Sequence, residues 1–330
     1  MRTYWSLGDL PLGGPRRVVA IGTFDGVHLG HQEVIAQARA RSKERGVPLM
    51  VVTFEPNPVA VLRPELSPAV LTPVELKSAL IGGLDVDELL VIPFTRAFAR
   101  VKAERFVEML ASAPIGADTV VVGRNFRFGH GGAGTVDTLQ RVGRGLRLEI
   151  IVPDMVTAAG DKPVSSTRIR RLVAAGNVKD AAVLLSRPHN IEGPVVDGEK
   201  RGREMGVPTA NIEIPRRAAL PSRGVYAGFV ATSAGRWSAA INVGFAPTFH
   251  QGPSLGRPRV EAFLLDYEGE PFYGVVARVI FLERLRDERR FDDAEELVAQ
   301  IGRDVAETRR IVAGSGEASA TVARDVKESP

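Results

Sequence analysis

The sequence predicts two folds in series: an α/β domain on a parallel sheet, then an all-β antiparallel barrel closed by a C-terminal helix. Three observations predict it. The length, 330 residues, is about two domains' worth at roughly 150 residues per domain. Up to residue 187, fully apolar strand-like runs alternate with helix-period segments, the pattern of a sheet covered on both faces. After Arg187-Pro188 short strand-like runs are separated by Gly, Pro, Asn and Asp, the pattern of a small barrel.

In chain order, 17–22 (RVVAIG) is a short apolar strand ending in glycine, and 31–44 has helical spacing. Strands follow at 48–54, 89–94, 119–123 and 148–152, with helices at 103–111 and 135–142 between them. Two helical segments, 167–175 and 179–185, lead to Pro188. Barrel strands are expected at 195–196, 224–231, 236–243, 260–266 and 274–282, and a closing helix at 292–312. The predicted domains are therefore 1–187 and 188–316, with 317–330 as a flexible tail.

Composition narrows the function. With 44% hydrophobic and 25% charged residues, whole-chain disorder and fibrous structure are excluded. The absence of cysteine excludes disulfide scaffolds, thiolate metal sites and cysteine nucleophiles. Residues 1–187 carry 24 Lys and Arg against 18 Asp and Glu, and the remainder 19 against 21. That modest, dispersed excess suits phosphorylated small molecules better than nucleic acid. No stretch reaches 18 consecutive apolar residues and the first ten residues lack a signal-peptide core, so no membrane partner is expected and the expected location is cytoplasmic.

The strongest local signal is Gly22-Thr23-Phe24-Asp25-Gly26-Val27-His28-Leu29-Gly30-His31. His28 and His31, three apart, share one face of a helix start, where free N–H groups and the helix dipole favour an anion. Gly30 between them is expected to let a phosphate approach the backbone. A second element, Ser165-Ser166-Thr167-Arg168, sets hydroxyls and a guanidinium at another helix start. The segment from Gly129 to Gly134 satisfies GxGxxG but stands five residues beyond its strand, so it reads as a loop and not a dinucleotide site. In the second half, four glycines between 193 and 206 surround Lys200, Arg201 and Arg203, a turn able to wrap polyphosphate.

The histidine motif resembles the HxGH signature of the nucleotidyltransferase superfamily, and Ser165–Arg168 resembles its second element. The loops Phe54-Glu55-Pro56-Asn57-Pro58 and Gly123-Arg124-Asn125-Phe126-Arg127-Phe128 resemble flavin-binding loops of bacterial FMN adenylyltransferases. Val207-Pro208-Thr209-Ala210-Asn211 resembles the PTAN motif of riboflavin kinases, and the blocks from Asn242 and Arg259 follow in that family's order. Together these resemble the prokaryotic bifunctional riboflavin kinase/FMN adenylyltransferase family over residues 16–312.

That resemblance implies a Rossmann-like nucleotidyltransferase domain making FAD from FMN and ATP, and a barrel domain making FMN from riboflavin and ATP, both with Mg²⁺. It implies catalytic roles for His28, His31, Arg168 and Glu261. ATP and phosphate contacts are expected from Gly22, Thr23, Phe24, Gly30, Ser165, Ser166, Thr167, Gly198, Lys200, Gly202, Thr209 and Asn211, the last two also holding the metal. Flavin contacts are expected from Phe54, Pro56, Pro58, Asn125, Phe126, Phe128 and Arg286. Rival readings are an adenylyltransferase with another phosphorylated acceptor, a flavin-binding regulator without catalysis, and a tRNA-synthetase relative. The first leaves PTAN unexplained, the second leaves five reactive residues without a purpose, and the third lacks a KMSKS-type lysine motif.

Overall fold

A computed structural model describes residues 1–160, 162–197, 209–245, 258–269, 273–289, 291 and 293–315. The chain divides into two units: Met1–Pro68 with Thr72–Ser165, and Ala69–Leu71 with Ser166–Pro330. The predicted texture change at 187/188 follows composition, whereas this division follows packing.

In the first unit β1 (Arg2–Tyr4) and β2 (Arg17–Ile21) precede α1 (Leu29–Arg45). Then come β3 (Leu49–Glu55), α2 (Pro58–Leu62), α3 (Val74–Gly82), β4 (Glu88–Pro93) and α4 (Ala103–Ala111). β5 (Ala117–Val121), α5 (Val136–Gly145), β6 (Glu149–Ile151) and a hairpin, β7 (Thr157–Ala158) with β8 (Lys162–Pro163), complete it. The sheet runs β1-β4-β3-β2-β5-β6, every pair parallel. Strand alternation divides the core in two. Val18, Ala20, Leu49 and Val51 pack with Val34, Ile35 and Ala38 of α1, while Val19, Ile21, Met50 and Val52 pack with Phe106, Val107 and Leu110 of α4. Burial on both faces is why these strands read as unbroken apolar runs.

The second unit opens with α6 (Ser166–Ala174) and α7 (Val178–Leu185). Six strands follow: β9 (His189–Val196), β10 (Thr209–Glu213), β11 (Gly224–Thr232), β12 (Gly235–Phe245), β13 (Pro258–Leu264) and β14 (Val276–Arg286). They close antiparallel in the order β10-β13-β12-β11-β14-β9, around Tyr226, Val230, Ile241, Val260, Ala262, Val279 and Phe281. A last helix, α8 (Ala294–Gly314), is capped by Asp293, whose carboxylate accepts from Glu296 N at 2.8 Å.

Seven of these elements exceed the expectation from sequence: β1, α2, α3, β7, β8 and β10, which were not expected, and β9, which is longer than expected; α2, β7 and β8 have five residues or fewer. β1 is a three-residue edge strand, too short to show a period. α3 begins directly after Pro73 and ends at Gly82-Gly83, which left too few residues to show one either. β10 covers Thr209, Ala210 and Asn211 of the PTAN motif, where no strand was expected, and β9 extends from His189 where only 195–196 had strand character. In both barrel strands Gly, Pro or Asn interrupt the β pattern, and pairing overrides local propensity.

Candidate functional site

The direction in which strands are added to the first sheet reverses between β2 and β5: β3, β4 and β1 lie to one side of β2, and β5 and β6 to the other. Ligands of open parallel sheets sit beyond the carboxyl ends of the strands at this switch point. The loops that leave β2 and β5 there are the histidine motif and the Gly123–Phe128 segment.

His28 is the N-cap of α1. Its carbonyl and its Nδ1 share the N–H of His31, at 2.7 and 3.3 Å. An accepting Nδ1 leaves the proton of the neutral ring on Nε2, which makes that nitrogen a donor. The His31 ring stacks on His28 at 3.6 Å between centroids, and the edge of Phe24 meets His31 at 5.2 Å. His28 is only 5% exposed. Gly30 has a further reason beyond the expected one: a methyl there would stand 3.3 Å from the His28 ring and 3.6 Å from the carbonyl of Val164. Gly22 likewise lies under Phe24, whose ring is buried in the core. The carbonyl of Thr23 accepts from Thr53 Oγ1 at 3.2 Å.

Three of the expected flavin residues, Phe54, Phe126 and Phe128, fall on an aromatic wall. Phe54 meets Phe94 and Phe98, Phe98 meets Phe106, Phe106 meets Phe128, and Phe128 stacks on Phe126, all with centroids 5.4–6.3 Å apart. Phe54 and Phe128 are buried, Phe126 and Pro58 half-buried, Pro56 and Asn125 exposed. Phe94 and Phe98 were not singled out from sequence; their signal was position alone, just past the end of β4. The decoy glycines have packing reasons: a Cβ would stand 2.7 Å from Ala103 at Gly129 and 2.7 Å from the Phe128 ring at Gly134.

Ser165–Arg168 spans the division between the units, at the start of α6. Ser165, Ser166 and Arg168 are half-buried and Thr167 is exposed.

On the barrel, register does what spacing could not. Glu261 of β13 pairs directly with Asn211 of β10 on one side and Asn242 of β12 on the other. Paired residues share a face, and here it is the outer one, because Val260 and Ala262 fill the core. Arg259 donates to Asn211 Oδ1 from Nε at 3.0 Å and Nη2 at 2.8 Å, and its Nε lies 2.8 Å from Glu261 Oε1. It too was not singled out, although a position two before Glu261 placed it on the same face. Glu288 reaches over Gly244, where a Cβ would lie 2.8 Å from its Oε1. Thr209, two residues from Asn211, is exposed. Arg286 forms a two-pronged ion pair with Asp304 of α8, at 3.0 Å from Nε and 2.7 Å from Nη2. Gly198, Lys200 and Gly202 lie outside the described residues.

Two family models match successive parts of the chain. A family model described as FAD synthetase matches residues 14–168, and one described as riboflavin kinase matches 185–312. Bifunctional riboflavin kinase/FMN adenylyltransferases of Listeria monocytogenes and Pseudomonas fluorescens are 36% and 37% identical. Each alignment covers 90% of this chain and 93% or 94% of the relative. A crystal structure of a macrolide-efflux protein from Streptococcus pneumoniae is similar with a TM-score of 0.81 at 32% identity, over 93% of this chain and 98% of that one. No helix among the described residues is long and apolar enough to cross a membrane.

Proposed function

This chain belongs to the bifunctional riboflavin kinase/FMN adenylyltransferase family, and from that membership we propose how its own residues divide the two reactions. It is an enzyme of flavin cofactor synthesis, phosphorylating riboflavin to FMN and adenylylating FMN to FAD. The observation that carries the residue assignment is the stacked His28–His31 pair on the N-terminus of α1 at the sheet's switch point.

In adenylyl transfer a phosphate oxygen of FMN attacks the α-phosphorus of ATP, and the bond to the bridging oxygen breaks to release pyrophosphate. No covalent enzyme intermediate is needed, so the protein's work is positioning and charge neutralisation. Nε2–H of His28, the ring of His31 and the N-terminal end of the α1 dipole are assigned to the phosphates. Arg168, whose guanidinium can fork onto phosphate oxygens, is assigned to the departing pyrophosphate. The aromatic wall from Phe54 to Phe126, with Asn125, is assigned to the isoalloxazine ring.

In the barrel the riboflavin 5′-hydroxyl attacks the γ-phosphorus and ADP leaves. Glu261 is assigned as the acceptor of the hydroxyl proton. Thr209 would supply a hydroxyl, and Asn211 an amide oxygen once that oxygen turns from the Arg259 guanidinium that holds it here, hard donors for Mg²⁺ shared with ATP. Among the described residues no group of three or more His, Asp or Glu could form an all-protein metal site, which fits a metal arriving with the nucleotide. When bound, Mg²⁺ supplies neutralisation of the phosphate charge. The catalytic boundary is proposed at 187/188.

The test is incubation with Mg-ATP and either riboflavin or FMN, with chromatographic separation of the flavins. His31→Ala is expected to abolish FAD formation and spare FMN formation, and Glu261→Ala to abolish FMN formation while FAD still forms from supplied FMN. If either substitution removes both activities in a folded protein, the two-site assignment fails.

A further inference from the structure

The geometry points to Thr72 as a positioning residue for adenylyl transfer, acting through Asp25 on the turn that presents His28. The inference rests on the reading of His28 as a hydrogen-bond donor to phosphate.

The turn between β2 and α1 is held in disfavoured backbone. Phe24, Gly26 and Val27 have φ of +48°, +96° and +41°, so two side-chain-bearing residues, one of them β-branched, lie in the left-handed region. Such a conformation persists only where the surroundings over-determine it. Thr72, 47 residues after Asp25 and between α2 and α3, does so with three hydrogen bonds. Gly26 N donates to Thr72 Oγ1 at 2.8 Å, Thr72 Oγ1 donates to Asp25 Oδ1 at 3.3 Å, and Thr72 N donates to the same Oδ1 at 3.0 Å. The hydroxyl accepts the amide proton and so directs its own toward the carboxylate. Asp25 is 5% and Thr72 2% exposed, which removes most competition from water.

The constraint is passed along a short path. Val27 N donates to Phe24 O at 3.1 Å, and the carbonyl of Val27 accepts from Gln32 Nε2 at 2.9 Å, tying the turn to α1. His28 is the next residue, with its ring set by the cap to His31 N. Thr72 therefore acts on the direction of Nε2 through the backbone of three residues.

Thr72→Val keeps the shape and removes the hydroxyl; Thr72→Ser keeps the hydroxyl. With FMN and Mg-ATP, Thr72→Val is expected to lower kcat for FAD formation roughly tenfold to a hundredfold, the scale of a small misplacement, with little change in the KM for FMN. The unchanged KM for FMN reports that the first unit is folded, and riboflavin phosphorylation, assigned to the barrel, is expected to be unchanged. Thr72→Ser is expected to recover most of kcat, and the ¹⁵N signal of His28 Nδ1 to move in the Val variant and return in the Ser variant. Wild-type kcat in Thr72→Val, a change confined to KM, or a Ser variant as impaired as the Val variant overturns the inference alone, given an inactive His28→Ala. An active His28→Ala overturns the reading of the site and the inference with it.

Discussion

At the scale of single residues, a glycine's neighbours decide what it is for. Gly228 sits at a register irregularity between β11 and β14, and a Cβ there would lie 1.9 Å from the carbonyl oxygen of Ile280. That carbonyl is backbone and cannot rotate away. Gly228→Ala is expected to destabilise the barrel by about 3 kcal/mol, the upper end of overpacking costs, measured by denaturant unfolding. Arg286 makes the complementary point about charge. Its guanidinium was expected to contact flavin, and it is held by Asp304, whose side chain is 8% exposed and also accepts from Gln300 Nε2 at 2.8 Å. Asp304→Ala leaves a part-buried guanidinium without this partner and is expected to cost roughly 3 kcal/mol, read from the thermal midpoint. Any effect of that substitution on riboflavin KM at a temperature where the barrel is folded would report Arg286's orientation toward ligand.

At the scale of elements, α1 carries the proposed phosphate site at one end and is fastened to the sheet at the other. Arg41 and Arg45 reach Glu149 of β6 at 2.8 and 2.7 Å, and Thr119 of β5 donates to the same carboxylate at 3.1 Å. Burial pushes the Glu149 carboxyl upward, and the hydrogen bonds from Arg41, Arg45 and Thr119 outweigh it, leaving the group below the usual glutamate range. A lowered carboxyl contributes stability that is complete above the ordinary glutamate range and is lost as pH falls through the lowered value. Glu149→Gln is expected to remove that part of the acid dependence and to cost up to about 1 kcal/mol at neutral pH, since the side chain is partly solvated. Urea unfolding at pH 7 and pH 3.5 checks it: the gap between wild type and variant should narrow at the lower pH.

At the scale of the whole chain, packing places residues 166–187 with the barrel, so the packing division falls ahead of the catalytic boundary proposed at 187/188. Val178 of α7 is fully buried among the barrel's core residues. A fragment starting at 166 is therefore expected to melt at least about 4 °C above one starting at 188, by calorimetry on both. Much of this organisation was legible locally. Apolar runs of the right length announced the parallel strands, the break at Arg187-Pro188 announced the barrel, and His28, His31, Asn211 and Glu261 stood in short recognisable motifs. The strands and the break follow from composition and periodicity, the histidine pair from its spacing at a helix start, and Asn211 and Glu261 from resemblance to riboflavin kinase motifs. What only the tertiary structure decided spans longer separations: Thr72 on Asp25, Arg259 on Asn211, Phe94 and Phe98 beside Phe54. Each of these meetings depends on strand order, register or the path of a connecting segment. A pattern of apolar and polar residues says which face a side chain takes, and only the assembled sheet or barrel says which distant residue stands opposite it.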